Sequence, residues 1–216
     1  MWDETKDEVE VICALKQNTL ALKRLDVATL KNLAWLNDSV VNGYLSLVEA
    51  RSKGRPDVPT VWAASTFFYS KLKDDGYPAV KRWTMPNKCP GGIFSHDIMI
   101  VPVHLKMHWA CGVLDFRTKT IELYDSLGIS ETIFFNIMRG YIVAEATDKK
   151  VTGVDIDEWS DLRVRRLVPS RFGPLPCLAR PFAYPLSTRP PIHSFRAQSL
   201  NPDLLADWFL QCDPMA

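Results

Sequence analysis

The chain has 216 residues, of which 47% are hydrophobic, 24% charged and 11% aromatic, with 26 Lys and Arg against 25 Asp and Glu. These values fit one soluble globular domain, long enough to bury a core without disulfides or metals. A net charge of +1 removes the electrostatic reason to expect nucleic acid or an anionic membrane as main partner, and no apolar run approaches the roughly 18 residues of a membrane span.

Residues 1–20 are polar and acidic and read as an N-terminal extension. Met1 to Leu15 lacks the basic start and apolar core of a secretory signal, so a reducing cytosolic or nuclear compartment is expected. Leu25 to Val48 places apolar residues at helical spacing, and Asn37-Asp38 reads as a cap that starts a second helix with Val40, Val41, Tyr44, Leu45 and Val48 on its buried face. Arg51 to Pro59, with Gly54 and Pro56, reads as a loop; Ser65 is placed to cap a short helix carrying Phe67, Phe68 and Leu72, which Gly76 ends.

Pro86, Pro90 and a glycine pair mark a turn before three apolar runs, Asp97 to Val103, His108 to Phe116 and Thr120 to Tyr124. These are expected to be adjacent strands, the last two joined as a hairpin through Arg117-Thr118-Lys119. Ser130 to Ala144 restores helical periodicity through Ile133, Phe134, Ile137, Met138 and Tyr141. Beyond Val168 the composition changes: nine of the fifteen prolines fall in residues 169–216, and no Lys follows Lys150. Prolines at that density oppose regular helix or central strand, because each lacks an amide donor and fixes its own φ.

The cysteines, Cys13, Cys89, Cys111, Cys177 and Cys212, are odd in number and widely spaced, with neither a CxxC pair nor metal-ligand spacing to histidine. They form neither a disulfide framework nor a zinc site, and each is by default a small buried hydrophobe. The chemistry-bearing pattern lies elsewhere. His108 opens one apolar strand and Asp125 follows the next, so pairing the strands brings imidazole and carboxylate near each other, a base and the group that orients it for a cysteine nucleophile. By spacing alone, a core histidine beside Trp109 and an Asp-Ser turn opener are the commoner readings.

Six segments occur here in one order: Trp35-Leu36-Asn37-Asp38, Thr66-Phe67-Phe68, Ala79-Val80-Lys81-Arg82-Trp83-Thr84, Val101-Pro102-Val103-His104-Leu105, His108-Trp109 and Tyr124-Asp125-Ser126-Leu127-Gly128. Together they resemble the SUMO proteases, the sentrin-specific or ubiquitin-like-protein-specific cysteine proteases, over roughly residues 20–165. The resemblance implies an α+β, papain-like fold, a central mixed sheet flanked by helices, with residues 21–167 as the catalytic domain. It implies cleavage of peptide or isopeptide bonds after the Gly-Gly end of a SUMO-like modifier, without metal or cofactor; a monomer is expected, and the charge and hydropathy above leave no nucleic acid or membrane among the expected partners. It also implies a nuclear location, with cytoplasm as a second one.

Carried over by position, His108 matches the catalytic histidine and Asp125 its orienting aspartate. Trp35 and Trp109 match the aromatic walls of the tunnel that holds the modifier's glycines, and Asp38 and Phe67 match positions that contact the modifier's body. Two flat rings suit a Gly-Gly tail, since only residues without side chains pass between closely spaced walls. Structural alternatives stand beside these roles: a helix cap for Asp38, and core packing for Phe67 and Trp35.

The pattern fails near the nucleophile. Cys177 stands eight residues after Pro169, the family's spacing, but Arg171 occupies the position of the oxyanion-hole glutamine, Pro176 that of an aspartate and Leu178 that of a glycine. Pro176 and Pro181 disfavour the helix whose N-terminus would stabilise a thiolate. The expectation is a fold incomplete at its C-terminus, with 168–216 a divergent, disordered or poorly packed tail from a splice variant or gene-model error, and little or no hydrolytic activity. Two other outcomes stay open, a catalytically inactive modifier-binding module and an unstable truncated product.

Overall fold

The computed structural model describes residues 9–15, 20–30, 34–105, 108–125 and 132–164. Strands β1 (Val11–Leu15) and β2 (Leu20–Lys23) form an antiparallel pair, followed by the short helix α1 (Arg24–Ala28). β1 is an apolar run, Val11-Ile12-Cys13-Ala14-Leu15, inside the stretch expected to be a polar extension.

Helix α2 (Asp38–Ser52) begins where its sequence says it should. Asn37 is the N-cap, its side chain accepting from the Val40 N–H at 3.0 Å, so one of the orphan amides of the first turn is satisfied. The expected apolar stripe is the observed one: Val40, Val41, Leu45 and Val48 are buried and Tyr44 packs at the margin. Strand β3 (Val61–Ala63) follows, then α3 (Phe68–Asp75) and α4 (Tyr77–Val80). The α3 start differs from expectation: Phe67 is the N-cap, and the Ser65 carbonyl, two residues earlier, accepts from the Phe68 N–H at 2.8 Å. Gly76, at φ +74°, separates α3 from α4 in a conformation that strains any residue with a Cβ.

The three apolar runs are strands β4 (Ile98–His104), β5 (Trp109–Asp115) and β6 (Thr120–Tyr124), adjacent and antiparallel as expected. Helix α5 (Thr132–Asp148) follows, and β7 (Ser160–Val164) closes the described chain. The sheet order is β3-β4-β5-β6-β7, with the two outer pairs parallel and the inner three strands antiparallel, a mixed sheet flanked by helices. Strands β3 and β7 were not anticipated; three or five residues with little alternation carry almost no periodic signal.

Each sheet face has its own core. Met99, Val101, Val103, Ala110, Leu114, Ile121 and Leu123 pack with Phe68, Leu72, Phe134, Met138, Tyr141 and Ile142 from α3 and α5. Ile98, Ile100, Cys111, Val113 and Tyr124 face the stripe of α2. β4 is buried on both faces, so it reads as an unbroken apolar run rather than an alternating one. One expected core residue of α5 is outside it: Ile133 is 55% exposed, while Phe135, two residues on and on the opposite side of the helix, is buried.

A buried carboxylate braces the α5 side. Glu145 accepts from Thr84 Oγ1 at 2.5 Å and Tyr77 Oη at 2.7 Å, which ties α5 to α4 and to the turn after it. Hydroxyl donors at both oxygens offset much of the desolvation that burial imposes on such a group.

Candidate active site

The β5–β6 hairpin decides which side chains meet. The pair Gly112↔Leu123 puts both residues on the α5 face, and alternation carries His108 and Asp125 to that same face at one end of the sheet. There His108 Nε2–H donates to Asp125 Oδ1 at 2.6 Å, with the two residues 2% and 4% exposed. A carboxylate at Nε2 fixes the tautomer: the proton sits on Nε2 and the lone pair on Nδ1, which can take a proton from a thiol and return it to a leaving group. The short, buried contact also holds the ring in one orientation.

Trp109, the next residue, points to the other face. Its indole Nε1–H donates to the Leu36 carbonyl at 3.0 Å, and its ring packs against the α2-side core. Directly across the ladder from it stands His104, whose ring lies 4.5 Å from the indole centroid and tilted by 30°. The hydrogen bond to Leu36 brings Trp109 beside the segment that carries Trp35, which is half-buried.

Asp38 is the first residue of α2, half-buried, and the capping role belongs to its neighbour Asn37. Phe67 is 55% exposed, whereas Phe68 is the core aromatic, so packing does not account for Phe67. The residue before it, Thr66, is held by Asn42 of α2, whose side chain accepts from the Thr66 N–H at 3.0 Å and donates to Thr66 Oγ1 at 2.9 Å. Neither this clasp nor the stacked His104 figured as a site residue in the sequence reading, although both lie in or beside its quoted segments. Cys177 lies outside the described residues.

Of the described cysteines, Cys89 and Cys111 behave as buried hydrophobes, whereas Cys13 is exposed, against the default expectation for it. Cys111 is buried on the face opposite His108, and burial, then the nearby Glu122 charge, pushes its thiol up to about 12. Cys89 is buried and likewise pushed up to about 12, by burial first and then by the charges of Glu145 and Glu49. A thiol this reluctant to ionise is a poor nucleophile. Among the described residues no group of three or more His, Cys, Asp or Glu side chains is arranged to hold a metal ion, and no helix is long and apolar enough to cross a membrane.

A mixed sheet with helices on both faces and a buried His–Asp pair at one end defines the class of papain-like cysteine peptidase folds. The sequence profile of the Ulp1 protease family, C-terminal catalytic domain, matches residues 34–169, and the chain belongs to that family. It is 44% identical over 142 residues to a sentrin-specific protease of Caenorhabditis elegans, covering 66% of this chain and 20% of that one. It is 39% identical over 141 residues to sentrin-specific protease 2 of Homo sapiens, covering 65% and 23%. The chain thus spans about a fifth of the length of these curated relatives. Among solved structures, the C-terminal Ulp1 protease domain in complex with Smt3, the yeast ortholog of SUMO, superposes with a TM-score of 0.58 at 25% identity, over 72% of this chain and 67% of that one.

Proposed function

We propose that residues 21–167 form the larger part of a cysteine peptidase domain that recognises a SUMO-like modifier and acts on the peptide or isopeptide bond after its Gly-Gly end. The His108 Nε2 to Asp125 Oδ1 contact of 2.6 Å carries this reading, because a buried carboxylate on one imidazole nitrogen is the arrangement that orients a general base and raises its basicity. His108 is the general base and acid, Asp125 orients it, and Cys177 is the candidate nucleophile. Its thiolate attacks the glycine carbonyl, a thioester forms with loss of the amine, and water deprotonated by His108 releases the modifier. β6 and β7 run parallel with Tyr124 beside Val164, so β7 ends at the edge of the sheet that holds Asp125.

Trp35 and Trp109 are assigned to the walls around the glycines, and Asp38 and the exposed Phe67 to the modifier's body. The partners are the modifier and its conjugates, and the compartment proposed is the nucleus, with cytoplasm as a second one. Support comes from the relatives named sentrin-specific protease and from the Ulp1–Smt3 complex.

A second reading, a non-catalytic modifier-binding module, is favoured by one observation: the family match ends at residue 169, before Cys177, where Arg171, Pro176 and Leu178 replace the expected residues. A SUMO-type modifier bearing a C-terminal electrophile separates the two. An adduct that disappears in Cys177→Ala establishes the peptidase; reversible binding without an adduct establishes the module; neither adduct nor binding removes both.

A further inference from the structure

His104 ends β4 directly opposite Trp109, and the Leu105 N–H donates to the His108 carbonyl at 2.7 Å one step further along the same ladder. Cross-strand side chains at adjacent positions stand close enough for rings to touch, and here the imidazole covers one face of the indole with centroids 4.5 Å apart. The indole edge is meanwhile fixed by its N–H bond to the Leu36 carbonyl. Two constraints therefore act on one ring: a hydrogen bond sets its edge, and a stacked ring stops rotation about the Cβ bond. Of these, only the stack depends on an exposed side chain with no core role.

We infer that His104 is a positioning residue for Trp109, holding the indole in the orientation that lets it serve as one wall for an extended, side-chain-free segment of a modifier tail. This inference rests on the proposed modifier-binding reading for its consequence, but not for its geometry. The stack survives either charge state of the imidazole, as offset aromatic packing when neutral and as a cation over the indole face when protonated. An aliphatic side chain of similar size would fill the space without constraining the ring plane.

The test compares His104→Leu and His104→Phe in the full chain, with His104→Gln as a polar control in case the apolar replacement lowers solubility. The first readout needs no ligand: solvent exchange of the Trp109 indole N–H by NMR, assigned by its loss in Trp109→Phe. Faster exchange in His104→Leu and His104→Gln, restored in His104→Phe, is expected; equal exchange in all four proteins overturns the inference. The second readout is affinity for a SUMO-type modifier with and without its terminal Gly-Gly. His104→Leu should lose about three- to tenfold in affinity for the complete modifier, with His104→Phe restoring it and the tail-less modifier unaffected. An unchanged ratio of the two affinities overturns the tail-wall role. If the wild-type chain binds neither form while indole exchange responds as expected, the modifier-binding reading fails and the positioning of Trp109 by His104 stands.

Discussion

The side chain of Asn42 uses both ends of its amide on one residue, Thr66, and so locks the second turn of α2 to the bend that exposes Phe67. Both atoms belong to groups that would otherwise be left partly buried and unpaired. Asn42→Ala is expected to cost about 1–3 kcal/mol in urea unfolding, since it strands a backbone amide as well as a hydroxyl. Asn42→Asp, which keeps the acceptor and loses the donor, should cost less than Asn42→Ala; equal costs would show that the Thr66 amide draws nothing from this contact.

Phe67 itself should behave in the opposite way. With 55% of its surface exposed, Phe67→Ala is expected to change stability by no more than about 0.5 kcal/mol while weakening modifier binding measured by calorimetry. Phe68→Ala, by contrast, removes a ring in contact with Trp83 and Tyr141 and should cost about 3–5 kcal/mol. A large stability loss at Phe67 with no change in binding would return it to the core.

Gly112 sits in the middle of β5 under Phe134 of α5, where an added Cβ would overlap the ring and come within 3.2 Å of the Val101 carbonyl. Gly112→Ala is therefore expected to destabilise the fold by about 1–3 kcal/mol, despite alanine's smaller backbone entropy cost. Adding Phe134→Leu should recover part of that loss by vacating the space. Additive effects of the two substitutions in a double-mutant cycle would contradict the packing argument.

Alkaline pH should weaken the fold through Cys111. Its folded-state pKa lies above the unfolded value, so the protonated thiol's contribution is complete below about 9. It is lost as pH rises toward 12, because the unfolded chain releases the proton first. The slope from this thiol is at most ~1.4 kcal/mol per pH unit. Cys111→Ala should reduce the alkaline slope of the stability profile between about pH 9 and 11, leaving the part that Cys89 contributes. Native-state alkylation read by mass spectrometry should modify exposed Cys13 well before Cys89 or Cys111.

The elements with strong periodic patterns were legible in the sequence: the stripe of α2, the three inner strands and the core side of α5. The hairpin spacing was enough to bring His108 toward Asp125. What escaped depends on long-range partners. β7 is a strand because β6 offers it a ladder, whereas β1 is a short apolar run with no alternation to mark it as a strand. Glu145 falls just past the expected helix, and nothing local announces that Tyr77 and Thr84 close over it. Ser65 looked like a cap by residue type, but the helix starts two residues later, where Phe68 can reach the core. His104 was quoted for its place in a segment, and only strand register reveals that it faces Trp109.

His104, His108, Trp109 and Asp125 all belong to one antiparallel meander, β4 to β6, joined by short connections. Contacts of such short sequence separation close quickly, whereas the parallel pairings of β3 with β4 and β6 with β7 must wait for long crossovers. The base and its orienter are therefore expected to assemble early in folding and to do so before β7 docks. Their approach follows from the local zipping of two hairpins rather than from the crossovers that bring in β3 and β7.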